Sequence, residues 1–188
     1  MEVAAVTTEL IRWIKEKVTA AGARGVVLGI SGGIDSAVVA GLAVRAFPDA
    51  TLGIIMPCES LAEDVEHGRL VGEKFGFEIK TIDLYPAYET LLKLFADENN
   101  GGSLAAANIK PRLRMITLYY YAQQRNSLVL GTGNRSELTI GYFTKYGDGG
   151  VDLLPIGGLV KHQVKELAHY LGVPEVIINK PPSAGLWQ

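Results

Sequence analysis

Val26-Val27-Leu28-Gly29-Ile30-Ser31-Gly32-Gly33-Ile34-Asp35-Ser36-Ala37-Val38 sets a short β-branched run directly before a glycine-rich turn, with an apolar helical stretch after it. Consecutive backbone N–H groups in such a turn, at the positive end of a helix dipole, form a cradle for an anion. Gly32 and Gly33 lack Cβ, so the chain can turn tightly and a phosphate can approach the backbone. Ser31 and Ser36 add hydroxyl donors. Asp35 is the unexpected member. A carboxylate beside a polyphosphate repels it unless a divalent cation lies between them, and magnesium takes one or two carboxylates together with phosphate oxygens. The plainer alternative is a strand–turn–helix with an acid near the helix start, where acids are favoured.

The common ATP loop, G-x-x-x-x-G-K-[ST], is absent and the turn holds no lysine. The order Ser-Gly-Gly-x-Asp-Ser after an apolar strand resembles the pyrophosphatase loop of the N-type ATP pyrophosphatases. That resemblance implies cleavage of ATP to AMP and pyrophosphate, with adenylation of a substrate.

Outward from this loop, apolar residues recur at helical spacing in Val6, Leu10, Trp13 or Ile14, and Val18, which predicts an amphipathic helix ending near Gly22. Strands are expected at Val26–Ile30, Leu52–Met56, Phe77–Ile82 and Leu128–Leu130. Helices are expected to Arg45, over Leu61–Phe75, over Tyr85–Phe95, up to Arg125 with Pro111 starting or kinking it, and over Gln163–Leu171. Strands alternating with helices predict an α/β fold: three layers, α/β/α, around a mainly parallel sheet. Ligands in such sheets bind beyond the carboxyl ends of the strands, so the Ser31–Ser36 and Thr132–Glu137 loops should share one crest.

The 188 residues are 48% hydrophobic and 20% charged, which suits a single domain over 1–188. The net charge of −2 offers no basic footprint for nucleic acid. One cysteine, Cys58, precludes an internal disulfide and suits a reducing compartment. No signal peptide is evident, because Glu2, Glu9 and Arg12 interrupt the apolar residues, and no apolar run approaches the roughly 20 residues of a membrane span. A cytoplasmic protein is expected, with no membrane partner. His67, His162 and His169 have no metal-ligand spacing.

In the second half, Gly131-Thr132-Gly133-Asn134-Arg135-Ser136-Glu137 follows a strand. Glu137 stands either as a solvated acid in a helix's first turn or as a second carboxylate on the cation held by Asp35; its place beside the first loop favours the metal role. Lys161 lies near a helix start, against the dipole, where a triphosphate would make its charge useful. The Tyr142–Asp152 segment combines aromatics, glycines, Lys145 and two aspartates, Asp148 and Asp152, which is unusual for a plain connection.

Taken in order, Ser31–Ser36, Arg112-Leu113-Arg114, Gly131–Glu137, Tyr142–Asp152, Pro155–Lys161 and Lys180-Pro181-Pro182-Ser183-Ala184-Gly185-Leu186-Trp187 resemble the ammonia-dependent NAD synthetases over nearly the whole chain. The resemblance implies an adenine nucleotide alpha hydrolase-like fold, and a ligase that amidates deamido-NAD to NAD with ammonia and ATP through an acyl-adenylate. It implies that Gly29, Ile30, Ser31, Gly32, Gly33, Ile34, Asp35 and Ser36 bind the ATP phosphates and that Thr132, Lys161 and Ser183 contact ATP. Asp35 and Glu137 would hold Mg2+, Arg112, Lys145 and Asp152 would contact deamido-NAD, and for the ammonia step so implied Asp148 is the candidate general base that deprotonates ammonium. It further implies a homodimer with deamido-NAD across the interface. The Val6–Val18 stripe and the Tyr119–Tyr121 cluster are the expected apolar surfaces for that pairing. Members of the family continue past Trp187, so the chain is expected to lack a C-terminal segment, and the stretch from Lys180 to Gln188 suits a lid. Another adenylating enzyme with the same loop, such as the synthetase domain of GMP synthetase or a tRNA-modifying enzyme, or a non-catalytic nucleotide sensor, would share the first loop. The acidic pI weighs against tRNA.

Overall fold

The structure is a computed structural model that describes residues 2–95 and 104–181. Four strands, β1 (Gly25–Gly29), β2 (Thr51–Ile55), β3 (Glu78–Thr81) and β4 (Ser127–Leu130), form a sheet of order β3-β2-β1-β4, every pairing parallel. Parallel strands need crossovers, and the chain supplies helices for them. These are α2 (Ile34–Ala46) after β1, α3 (Ala62–Phe75) after β2, and α4 (Tyr85–Leu94), α5 (Leu104–Ala107) and α6 (Ile109–Arg125) between β3 and β4. Before β1 comes α1 (Val3–Ala20), and after β4 come α7 (Arg135–Ile140), α8 (Lys161–Leu171) and α9 (Glu175–Ile178).

Alternation along β1 assigns the layers. Val26, Leu28 and Ile30 enter one core with α1, α2, α8 and α9, whereas Val27 enters the other with Leu52, Ile54, Leu118 and Val129. Both sheet faces are therefore covered, which is why β1, β2 and β4 are mostly apolar runs, whereas the edge strand β3 alternates and is half-exposed. Helix α2 lies at the centre of the first core. Ala37, Val38, Val39, Ala40, Leu42 and Ala43 are all inaccessible to solvent, so the helix is apolar on every side.

Two expectations change here. The α1 stripe packs inward within the chain: Ile14 and Val18 are fully buried in the first core, with Leu10 and Ile11 packed beside them. Burying each contributes roughly 1.5–3 kcal/mol, so this face is already in use. Of the three tyrosines, Tyr119 and Tyr121 pack on the second core, and only Tyr120 is largely exposed. Pro111 is the third residue of α6, where its missing N–H leaves no helical bond unmade. Among the described residues no helix is long and apolar enough to cross a membrane.

Candidate active site

The turn after β1 is built by its own serines. Ser36 Oγ donates to Gly33 O (2.9 Å) and accepts from Ser31 N (3.2 Å), while Ser31 Oγ accepts from Gly33 N (3.3 Å) and lies 3.1 Å from Ser36 Oγ. The hydroxyls expected to face a phosphate thus brace the loop instead. What the loop presents outward is backbone: the N–H groups of Gly32, Ile34, Asp35 and Ser36 have no partner among the described residues. These are the unsatisfied donors of a helix start, and they form an anion cradle. Gly32 has φ +77°, and a Cβ there would lie 2.3 Å from the carbonyl oxygen of Asp64 in the first turn of α3. Glycine is required twice over, by backbone conformation and by close approach.

Because β1 and β4 are neighbours, the loops after them meet. Asn134, only 1% exposed, donates its Nδ2 to Asp35 Oδ1 at 3.0 Å. It also caps α7: its Oδ1 accepts from Glu137 N (3.1 Å), and Glu137 Oε2 accepts from Asn134 N (3.0 Å), a complete capping box. The ammonium of Lys161, first residue of α8, pairs with Asp35 Oδ2, and the Lys161 N–H donates to Ser136 Oγ at 3.3 Å. Burial pushes the Glu137 carboxyl above the usual range; the Asn134 N–H opposes this and the negative charge of Asp35 adds to it. The two acids therefore repel each other, Asp148 adds to the negative field on Glu137, and the Lys161 ammonium opposes it.

These residues fit a magnesium ion. Two carboxylates lie within electrostatic reach, and one oxygen of each is not engaged by Asn134. Among the described residues no group of three or more acids, histidines or cysteines is placed to hold a metal, so phosphate oxygens and water would complete the shell of a magnesium ion on this pair.

The residues expected for the second substrate divide. Arg112 and Lys145 meet: the guanidinium of Arg112 donates to Lys145 O (3.3–3.4 Å), and the Lys145 ammonium lies 5.0 Å from the Tyr146 ring centroid. Asp152 is tied to the fold, with Oδ2 accepting from Val129 N (2.8 Å) and Oδ1 from Tyr119 OH (3.0 Å). Asp148 is exposed; its Oδ1 accepts from Thr144 N (2.8 Å) and closes the 144–149 turn, and its other oxygen has no partner among the described residues. Thr132 is half-buried just past β4. Ser183, and the rest of the expected lid from Pro182 onward, lie outside the described residues.

Three side chains to which the sequence reading gave no individual role at the site make contacts around it: Asn134, Tyr119 and Arg114. Arg114 donates Nε to Met56 O (3.2 Å) at the end of β2, and burial draws its pKa down. A local signal existed only for Asn134, as an N-cap three residues before a glutamate. Buried Cys58, its thiol pKa raised by burial, is an inert packing residue. His67 is buried, with Lys180 Nζ 3.4 Å from its Nδ1, and His162 and His169 are exposed.

The sequence matches the family described as NAD synthase over residues 6–188. The chain belongs to that family. It is 54% identical over 184 residues to the NH(3)-dependent NAD(+) synthetase of Carboxydothermus hydrogenoformans, an alignment covering 97% of this chain and 76% of that protein. Among solved structures it resembles the NMN synthetase of Francisella tularensis (TM-score 0.94, 41% identity, 100% of this chain and 78% of that one). It also resembles the NH3-dependent NAD synthetase of Campylobacter jejuni (TM-score 0.90, 38% identity, 96% and 78%). The parallel sheet and its flanking helices agree with the adenine nucleotide alpha hydrolase-like fold implied by the resemblance to the NAD synthetases, and membership of the NAD synthase family sets aside the GMP synthetase, tRNA-modifying and sensor readings.

Proposed function

We propose that this NAD synthase amidates deamido-NAD to NAD with ammonia, driven by cleavage of ATP to AMP and pyrophosphate. The observation that supports it most is the meeting of Asp35 with Asn134 and Lys161. An acid inside an anion cradle, held from two other segments, is an arrangement suited to a polyphosphate carrying a cation.

A carboxylate is a poor acceptor for ammonia because oxide would have to leave. In the first step a nicotinate carboxylate oxygen bonds to the α-phosphorus, the α–β bridging bond breaks, and pyrophosphate departs. The open N–H groups of Gly32, Ile34, Asp35 and Ser36 receive the developing charge, and the Lys161 ammonium moves from Asp35 to the phosphates. Asp35 and Glu137 would hold magnesium, which when bound neutralises phosphate charge and polarises the phosphoryl group. In the second step ammonia attacks the acyl carbon, AMP leaves, and a proton passes to a base. The unengaged oxygen of Asp148 is the group assigned to take a proton from ammonium. Arg112 and Lys145 supply cationic contacts to deamido-NAD, and Thr132 and Ser183 contact ATP. Asp152 orders the deamido-NAD side through Tyr119 on α6.

The enzyme works as a symmetric homodimer, in the reducing, ATP-containing cytoplasm. Helix α6 supports the dimer: Arg112, Ile116 and Tyr120, four residues apart, share its outer face, with Ile116 and Tyr120 each more than half exposed. A dimer by light scattering at micromolar concentration is expected, and Ile116→Asp should yield a monomer. The reaction is tested by incubating the chain with ATP, magnesium, ammonium and deamido-NAD. NAD, AMP and pyrophosphate should appear in equal amounts. Nicotinate mononucleotide belongs in a parallel arm, and preferential amidation of it would overturn deamido-NAD as the substrate.

A further inference from the structure

We propose that Asn134 is a positioning residue for the acid pair, fixing one oxygen of Asp35 and one of Glu137 so that the remaining oxygens present themselves to a single divalent cation. The inference rests on the metal role of those acids given above.

Helix capping explains only half of what Asn134 does. The cap uses its Oδ1, on Glu137 N, and its N–H, to Glu137 Oε2. Its Nδ2 bond to Asp35 Oδ1 crosses between loops 99 residues apart and contributes nothing to α7. Of the common N-cap residues Ser, Thr, Asp and Asn, only Asn carries a separate donor and acceptor group. Its orientation is determined: the oxygen must accept from the Glu137 N–H, so the NH2 must face Asp35. At 1% exposure, solvent does not compete for either end. The result is a division of each carboxylate. Asp35 keeps Oδ2, now on Lys161, and Glu137 keeps Oε1, which has no partner among the described residues. Partners that orient ligating carboxylates typically change metal affinity 10–100-fold when removed.

The test uses the full chain and Mn2+ as the probe, with α,β-methylene-ATP present so that no adenylation occurs. Asn134→Ser keeps an N-cap but cannot reach Asp35. It should melt like the wild type, bind Mn2+ about tenfold more weakly or worse, and recover part of its adenylation rate as Mg2+ is raised. Asn134→Asp caps α7 equally but puts a third carboxylate where the NH2 stood. It should lose nucleotide and retain the fold, and it serves if the serine variant folds poorly. Mn2+ affinity within twofold of wild type in Asn134→Ser, or nucleotide affinity unchanged in Asn134→Asp, would overturn the proposal. Because the binding readout needs no acyl acceptor, a wild type that binds Mn2+ and nucleotide but forms no NAD would overturn the proposed reaction and leave this assignment standing.

Discussion

Lys161 closes an ion pair with Asp35 across 126 residues of chain, so the phosphate loop after β1 is tied to the first turn of α8 at the crest of the sheet. The pair is partly exposed, and its ammonium occupies the place where Asp35 would meet a divalent cation. Lys161→Met should therefore have opposite effects on two ligands. Affinity for free Mn2+ should rise several-fold, because no resident cation competes for Asp35. Affinity for magnesium–ATP should fall about tenfold or more with loss of the phosphate contact. Calorimetric titration with each ligand separates the two, and a fall in both would show that Lys161 only braces the loop.

Glu137 has a structural and a proposed electrostatic task, and glutamine separates them. The amide oxygen of Glu137→Gln can still accept from Asn134 N, so the capping box and α7 should survive with an unchanged melting temperature. Only the negative charge is lost. Pyrophosphate release should drop by roughly 100-fold or more. Near-normal release from this folded variant would remove Glu137 from the metal site.

Gly32 and Gly22 both adopt positive φ, +77° and +71°, but only Gly32 has a backbone carbonyl where a Cβ would go. Gly22→Ala should cost about 1 kcal/mol, the left-handed penalty alone. Gly32→Ala should cost more, since the loop must also part from Asp64, and it should lose ATP binding. Urea denaturation and nucleotide titration of both variants give the comparison.

Burial and the bond to Asp152 push the Tyr119 hydroxyl up to about 12. An unfolded tyrosine ionises near 10. Between these values the unfolded chain has released a proton that the folded chain retains, so this group's contribution to stability is complete below about pH 10 and is lost as pH rises towards about 12. Absorbance titration of Tyr119→Phe should show the loss of one late-titrating phenol relative to the wild type, with buried Tyr88, also raised, unaffected. That variant should lose about 1 kcal/mol with the hydrogen bond.

Local chemistry made most of the fold legible. The β-branched run, the glycine turn and the helical apolar spacing around Ser31–Ser36 are short-range properties, and the shared crest follows from parallel connectivity. Periodicity reveals which side of α1 is apolar but not what it meets, so a stripe that packs on α2 and α8 was indistinguishable from a partner's face. Helices α7 and α9, at six and four residues, are too short to show a period. The serines of the loop and Asn134 had their residue types noted, but their partners depend on a turn closing and on β4 lying beside β1. Asp152, read as a substrate contact, has both carboxylate oxygens engaged by the fold, through Val129 and Tyr119, neither of which is near it in sequence.

The placement of β4 beside β1 also orders the birth of the molecule. Val26 N and Ile30 N bond to Ala50 and Ile54, on the β2 side, and alternate amides of a parallel strand face the opposite neighbour. During synthesis the β2 side of β1 can be paired once some 55 residues are made, but its other edge has no strand to meet until Leu130 has emerged. For that interval an apolar Val-Val-Leu edge at the centre of the future sheet stays open, a hazard for association with other nascent chains. Pulsed hydrogen exchange on the refolding chain should protect Val26 and Ile30 before Val27 and Gly29. Competence to bind ATP, which needs Asn134 and Lys161 against Asp35, should arise only with the second group.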